Sequence, residues 1–259
     1  MSSLFEQVAR TVETDEPAVL FTVLDGDHAG AKLLVRENGE TVGDGPPELA
    51  AVVPEVLERG RSRVVEHEGG RVFADVFGPS PLLLVFGAVD TSEALCRAAK
   101  ELGWRTVVAD ARGKFATKER LPSADEVIVA WPEDVLARIR PDRRTAVVVL
   151  SHEERFDVPA LAGALATDAF YIGALGSRRA QEKRRARLLE AGVDGAQLER
   201  VHGPCGLDVG AVSPAETAVS ILAEILAVRA AREGGPLQRS AARIHPEPDE
   251  ATAGVGSSA

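Results

Sequence analysis

From Leu4 to about Val12 the apolar residues recur at helical spacing. The pattern then changes to short apolar runs at Ala18 to Leu24, Ala31 to Val35, Arg63 to Glu66 and Arg71 to Phe77, separated by Asp-Gly, Asn-Gly and Gly-Gly pairs. Such runs predict strands joined by tight turns. A helix over Pro47 to Glu58, behind the GDGPP turn, interrupts them, so residues 1–80 read as a small α+β domain. Gly78-Pro79-Ser80-Pro81 then breaks the pattern, because two prolines fix the backbone and remove amide donors. The domain boundary is placed there.

Beyond it, runs rich in Val, Ile and Leu at Leu82 to Phe86, Thr106 to Ala109, Glu126 to Ala130, Ala146 to Leu150 and Phe170 to Ala174 alternate with helical stretches near 91–102, 132–139, 157–166 and 177–191. Continuous apolar strands alternating with helices predict a parallel sheet covered on both faces. Residues 81–232 are therefore expected to form a Rossmann-like α/β domain. Its last helix begins at Ser213-Pro214-Ala215-Glu216, a capping-box pair with proline at the first helical position. The tail, 233–259, has no apolar periodicity and is expected to be disordered.

The 259 residues are 45% hydrophobic and 27% charged, an ordinary globular composition. A net charge of −10 repels phosphate backbones and anionic membrane surfaces, which argues against nucleic acid and membrane as partners. The most apolar segment, Ala215 to Ala230, is interrupted by Glu216, Glu224 and Arg229 and is shorter than the roughly 20 residues of a spanning helix. The N-terminal residues lack the basic flank and apolar stretch of a signal peptide. Two distant cysteines, Cys96 and Cys205, spell neither a disulfide framework nor a metal-ligand spacing. A cytoplasmic setting without a metal site is the expectation.

Three stretches carry candidate chemistry. Gly87, Ala88, Val89 and Asp90 lead from the first strand of the second half into a helix, where a dinucleotide fold cradles a pyrophosphate. Only one of the three expected glycines, Gly87, is present, and Val89 and Asp90 oppose an approaching phosphate, so NAD(P) binding is expected to be weak or absent. Asp110 stands where a ribose-binding carboxylate would stand, although an acid ending a strand also serves as a turn or helix cap. The second stretch is better suited to an anion: Gly176 and Ser177 precede Arg178 and Arg179, which combines helix-terminal amides with two guanidinium groups. The basic residues Lys183 to Arg187 further along read as a solvated face. The third, His202 to Ala211, is a glycine-rich loop bringing Cys205, Gly206 and Asp208 together before the last helix. There Cys205 is either an inert buried thiol or one activated by a lowered pKa. His152 follows the fourth strand, at the edge where α/β ligands bind. No Walker loop, GxSxG elbow or HExxH motif accompanies these residues, so no catalytic residue is assigned.

With these residues assembled, the second half resembles the xanthine dehydrogenase accessory factor family, the XdhC and CoxI group. The resemblance rests on VFGA at 85–88, VVADARGKFATKERLPSADEVIV at 107–129, TAVVVLSHEERFD at 145–157, YIGALGSRR at 171–179 and GLDVGAVSPAETAVSILAEILAVR at 206–229. It implies a factor that binds the molybdenum cofactor (molybdopterin), protects it and passes it to a molybdenum hydroxylase client such as xanthine or carbon monoxide dehydrogenase, with a homodimer as an open oligomeric option. On that reading the cofactor's phosphate rests on Gly176 to Arg179 and the 205–210 loop contacts the rest. The chain departs from the family pattern at Val89-Asp90, in place of glycine-histidine, and at Asp44 to Pro47, in place of Gly-Gly-Cys. The competing readings are a Rossmann-type NAD(P)-dependent oxidoreductase or nucleotide sensor using Gly87 and Asp110, and an interaction scaffold that binds no small ligand.

Overall fold

Ser3 starts the first helix, α1 (Leu4–Thr14): its hydroxyl accepts the Glu6 amide while the Glu6 carboxylate accepts the Ser3 amide. The computed structural model describes residues 3–60, 62–67, 70–151 and 153–241. Five antiparallel strands follow α1: β1 (Ala18–Val23), β2 (Lys32–Arg36), β3 (Thr41–Gly43), β4 (Arg63–His67) and β5 (Gly70–Phe77), in the order β3-β2-β1-β5-β4. The core of this unit is built on Val19, Phe21, Val35, Leu49, Val56 and Val72.

The segment expected to be one helix from Pro47 to Glu58 is instead a 3-10 turn, Pro47–Val52, running into helix α2 (Val53–Arg59). Pro54 is the cause. Its ring nitrogen cannot donate to the carbonyl one turn back, so the Val53 amide tightens onto Ala50 and the register changes there.

The second unit spans Ser80–Gly234; the first ends at Pro79 and takes in the described residues from Gly235. Within it the elements are β6 (Leu82–Phe86), α3 (Asp90–Glu101), β7 (Arg105–Ala109), β8 (Glu126–Ile128), α4 (Pro132–Ile139), β9 (Thr145–Val149), α5 (Glu154–Leu165), β10 (Tyr171–Ala174), α6 (Arg178–Glu190), α7 (Gly195–Leu198), β11 (Val201–His202) and α8 (Pro214–Arg229). Every strand pair is parallel and the order is β11-β10-β9-β6-β7-β8. Read from β8, that is the doubly wound 3-2-1-4-5-6 order, with its reversal between β6 and β9.

Alternation along β6 shows why both sheet faces need cover. Leu83 and Val85 are buried against α3 and α8 together with Val148, Ile221 and Ile225, while Leu84 and Phe86 are buried on the α4 and α5 side with Val147, Phe156 and Leu161. Helix α8 is set by its cap: the Ser213 hydroxyl accepts the Glu216 amide, and the Glu216 carboxylate accepts the amides of Val212 and Ser213. Helix α5 begins three residues before the expected 157, because the Glu153 carbonyl already accepts the Phe156 and Asp157 amides. Of the tail, Leu237–Arg239 form a 3-10 turn, and residues 242–259 lie outside the described residues.

Candidate functional site

At the strand-order reversal, the loop after β6 is pressed against the loop after β9. Gly87 has φ +112°, and a Cβ there would lie 2.8 Å from the Ser151 amide nitrogen and 3.2 Å from the Leu150 carbonyl carbon. The glycine is required by this backbone approach. Asp110, at the end of β7, is brought to the same place: it is buried, its Oδ2 accepts the Ala88 amide at 2.9 Å, and both oxygens accept N–H groups of the Arg112 side chain. Burial works against its charge, but the Arg112 guanidinium and the amides of Ala88 and Arg112 more than offset it, so the carboxyl titrates below its ordinary range. Both Asp110 oxygens are thus engaged within the protein. Val89 is the N-cap of α3 and Asp90 stands exposed in its first turn, 3.7 Å from Arg120.

The next strand end is more open. Gly176 (φ +135°) turns the chain out of β10, and Ser177 caps α6 by accepting the Ala180 amide at 3.2 Å. Ser177, Arg178 and Arg179 are exposed, and among the described residues neither arginine makes an ion pair. The amides of the first helical turn have no carbonyl partner within the helix, so two guanidinium groups and the dipole end of a 13-residue helix share one spot.

Arg184 corrects the expectation that Lys183 to Arg187 are all solvated. It is 8% exposed, pairs with the buried Asp157 of α5 at 3.0 Å, and donates to the Gln181 side chain at 2.6 Å and the Leu175 carbonyl at 3.2 Å. The amide of Gln181 is held at its other end by the Ala174 carbonyl, 3.0 Å away. These bonds lock the β10–α6 connection in place from below.

The glycine-rich loop is organised around a residue that the sequence presents only as an interruption in an apolar helix. Glu224, half-buried in α8, accepts the Tyr171 hydroxyl at 2.5 Å and the Gly206 amide at 2.7 Å, and its other oxygen lies 3.3 Å from Nδ1 of His202. Burial opposes its charge, but His202, Tyr171 and the Gly206 amide outweigh it and hold its pKa below the ordinary value. Tyr171 stacks on His202 with centroids 4.7 Å apart. Gly173 leaves room for this cluster: a Cβ there would fall 2.7 Å from the Tyr171 oxygen and 3.0 Å from Cβ of Cys205.

Cys205 is buried at the end of β10, its amide bonded to the Ala174 carbonyl at 3.0 Å. Burial, then the Glu224 charge, push its thiol up to about 12. The sequence-based option of a lowered pKa is therefore corrected: the glycines do not open the thiol to water, and the negative charge of Glu224 acts on it more strongly than the positive charge of Arg184. Gly206 (φ +108°) is fixed by Glu224, whereas Asp208 stands exposed with no hydrogen bond among the described residues. His152 lies outside the described residues. Among the described residues no group of three or more His, Cys, Asp or Glu could hold a metal ion, and no helix is long and apolar enough to cross a membrane.

A doubly wound parallel sheet with polar loops gathered at its carboxyl edge is a Rossmann-type domain. Residues 83–225 match the XdhC Rossmann domain, and the chain belongs to that family. It is 32% identical over 158 residues to a probable xanthine dehydrogenase subunit of Bacillus subtilis (strain 168), covering 61% of this chain and 46% of that protein. The chain therefore spans about half the length of that relative. It is 25% identical over 256 residues to the molybdenum cofactor insertion chaperone PaoD of Escherichia coli (strain K12), covering 79% of each chain. The crystal structure of a xanthine dehydrogenase from Bacillus halodurans superposes with a TM-score of 0.67 at 25% identity, covering 88% of this chain and 67% of that one.

Proposed function

We propose that this chain is a maturation factor that holds the molybdenum cofactor at the carboxyl edge of its parallel sheet and passes it to a molybdenum hydroxylase client. The observation that carries the reading is the pair of exposed arginines, Arg178 and Arg179, at the amide-rich start of α6, with no ion pair among the described residues. The similarity to PaoD, which extends over 79% of both chains, supports the class of cargo.

The residues present fit the phosphate end of such a cargo. Gly176 turns the chain so that Ser177 caps the helix through the Ala180 amide, the amides of Arg178 and Arg179 are left for an anion, and their guanidinium groups add charge-assisted donors. The thiol does not fit the metal end, because Cys205 is buried and held neutral. The cargo brings the molybdenum that the client uses; the chain's own work is to bind, shield and release. The Glu224 contacts with Tyr171, His202 and Gly206 keep the neighbouring loop in one conformation, which lowers the ordering cost of binding.

Transfer tests this directly. The purified chain, loaded with molybdenum cofactor and mixed with a cofactor-free molybdenum hydroxylase, should restore its activity faster than the same amount of free cofactor. Equal rates with and without the chain would overturn the reading.

A further inference from the structure

A cavity of about 280 Å³ lies between α6 and the α7–β11 connection, lined on the α6 side by Arg178, Gln181, Arg185 and Leu188 and on the other by Leu198 and Val201. Its volume is near the lower end of small-molecule sites, which run from roughly 300 to 1,000 Å³. That suits one bicyclic ring system, and a dinucleotide is too large for it. A second cavity, on the α5 side of α6, has half that volume, about 140 Å³, and the ion pair of Arg187 with Glu154 is among its lining residues.

The walls of the larger cavity are held rigid by hydrogen bonds and close backbone approach. Gln181 is clamped between the Ala174 carbonyl and Arg184, so its side chain is fixed before any ligand arrives. Gly203 is what permits this, since a Cβ there would lie 2.6 Å from Oε1 of Gln181. Arg185 is held by Glu199 at 2.9 Å and still has N–H groups to offer. Leu188 and Leu198 are buried, so the floor is apolar. Arg178 belongs both to this lining and to the start of α6, which makes the cavity continuous with the proposed phosphate anchor.

We infer that this cavity seats the two pterin rings of a phosphorylated pterin, with its phosphate arm on Arg178. This rests on the anchor reading given above and deepens it: the body of the cargo lies along α6 towards β11, on apolar side chains flanked by guanidinium donors, and not over the 205–210 loop.

The test uses the full chain and two probes, a fluorescent pterin monophosphate and inorganic phosphate. Val201→Phe narrows the floor and should weaken the pterin monophosphate by at least about tenfold while leaving inorganic phosphate unchanged. Because that site is half-buried, a second variant at an exposed position keeps the test independent of folding. Glu182→Cys places a thiol in the cavity lining, while the native thiols Cys96 and Cys205 are both buried and pushed up to about 12. Saturating pterin monophosphate should slow alkylation of the introduced thiol about tenfold, and inorganic phosphate should not. If Arg178→Ala weakens both probes but the introduced thiol is unprotected and Val201→Phe is neutral, the cavity inference is wrong and the anchor stands. If the thiol is protected but Arg178→Ala changes neither probe, the anchor is wrong and the cavity stands. If the wild-type chain binds no pterin monophosphate, both fall.

Discussion

Asp157 on α5 and Arg184 on α6 meet at 3.0 Å with 6% and 8% of their side chains exposed. The same guanidinium reaches the Leu175 carbonyl and Gln181, so one buried cation ties two helices and the β10–α6 connection together. The exposed arginines at the start of α6 owe their position to this buried one.

Breaking that pair should cost more than removing it. Arg184→Met leaves a buried carboxylate without its guanidinium and is expected to destabilise the fold by roughly 3–5 kcal/mol, whereas Arg184→Met with Asp157→Leu should recover most of the loss. Thermal unfolding of the two single variants and the double variant measures the coupling; strict additivity would contradict it.

Glu224 gives a pH dependence with a defined sign. Its pKa is depressed in the folded chain, so its contribution is present above the unfolded value of 4.5 and is lost as pH falls through the lower folded value. Acidification below about pH 5 should therefore destabilise the wild type more than Glu224→Gln, which is less stable at neutral pH but flatter in acid. Parallel melting curves across the acid range would show that the carboxylate is unimportant.

Gly87→Ala should be costly although it adds one methyl group. The new Cβ would meet the backbone of Leu150 and Ser151 at a positive φ, so the loops after β6 and β9 must part. The expected loss is roughly 1–3 kcal/mol, read as a lower melting temperature. A change within measurement error would mean that the loops separate freely.

The parallel sheet was legible because its central strands are apolar runs, Leu82–Phe86 and Thr145–Val149 above all, and β-branched residues in short runs between helical stretches have few other uses. The short strands β3 and β11 were not, since Thr41–Gly43 and Val201–His202 are too brief to show a period. Arg184 was hidden for a different reason. In QEKRRAR charges sit on every side of the helix, so no spacing reveals which one faces α5. Glu224 left a faint mark, a single carboxylate inside AVSILAEILAVR, but its partners Tyr171, His202 and Gly206 are 53, 22 and 18 residues away and only the fold unites them. The helix break at Pro54 was legible in principle, because proline inside a helical stretch removes a donor wherever it stands.

The cysteines should be inert. With both thiols buried and pushed up to about 12, alkylation at neutral pH is expected to be slow in the folded chain and fast after unfolding in urea, to a similar extent for Cys96 and Cys205. Rapid modification of Cys205 in the folded state would restore it as a reactive group.

The most direct measurement of the central claim is the affinity of the intact chain for molybdenum cofactor before and after the charges at the start of α6 are removed. Arg178→Ala with Arg179→Ala should weaken binding by about tenfold or more, as expected when two charge-assisted bonds to a phosphate are lost at a partly solvated site. Lys183→Ala with Arg187→Ala removes the same charge further along the helix, on its α5 side, and should cost clearly less. Equal losses in the two pairs would reduce the effect to general electrostatics and contradict a phosphate anchor at Arg178 and Arg179.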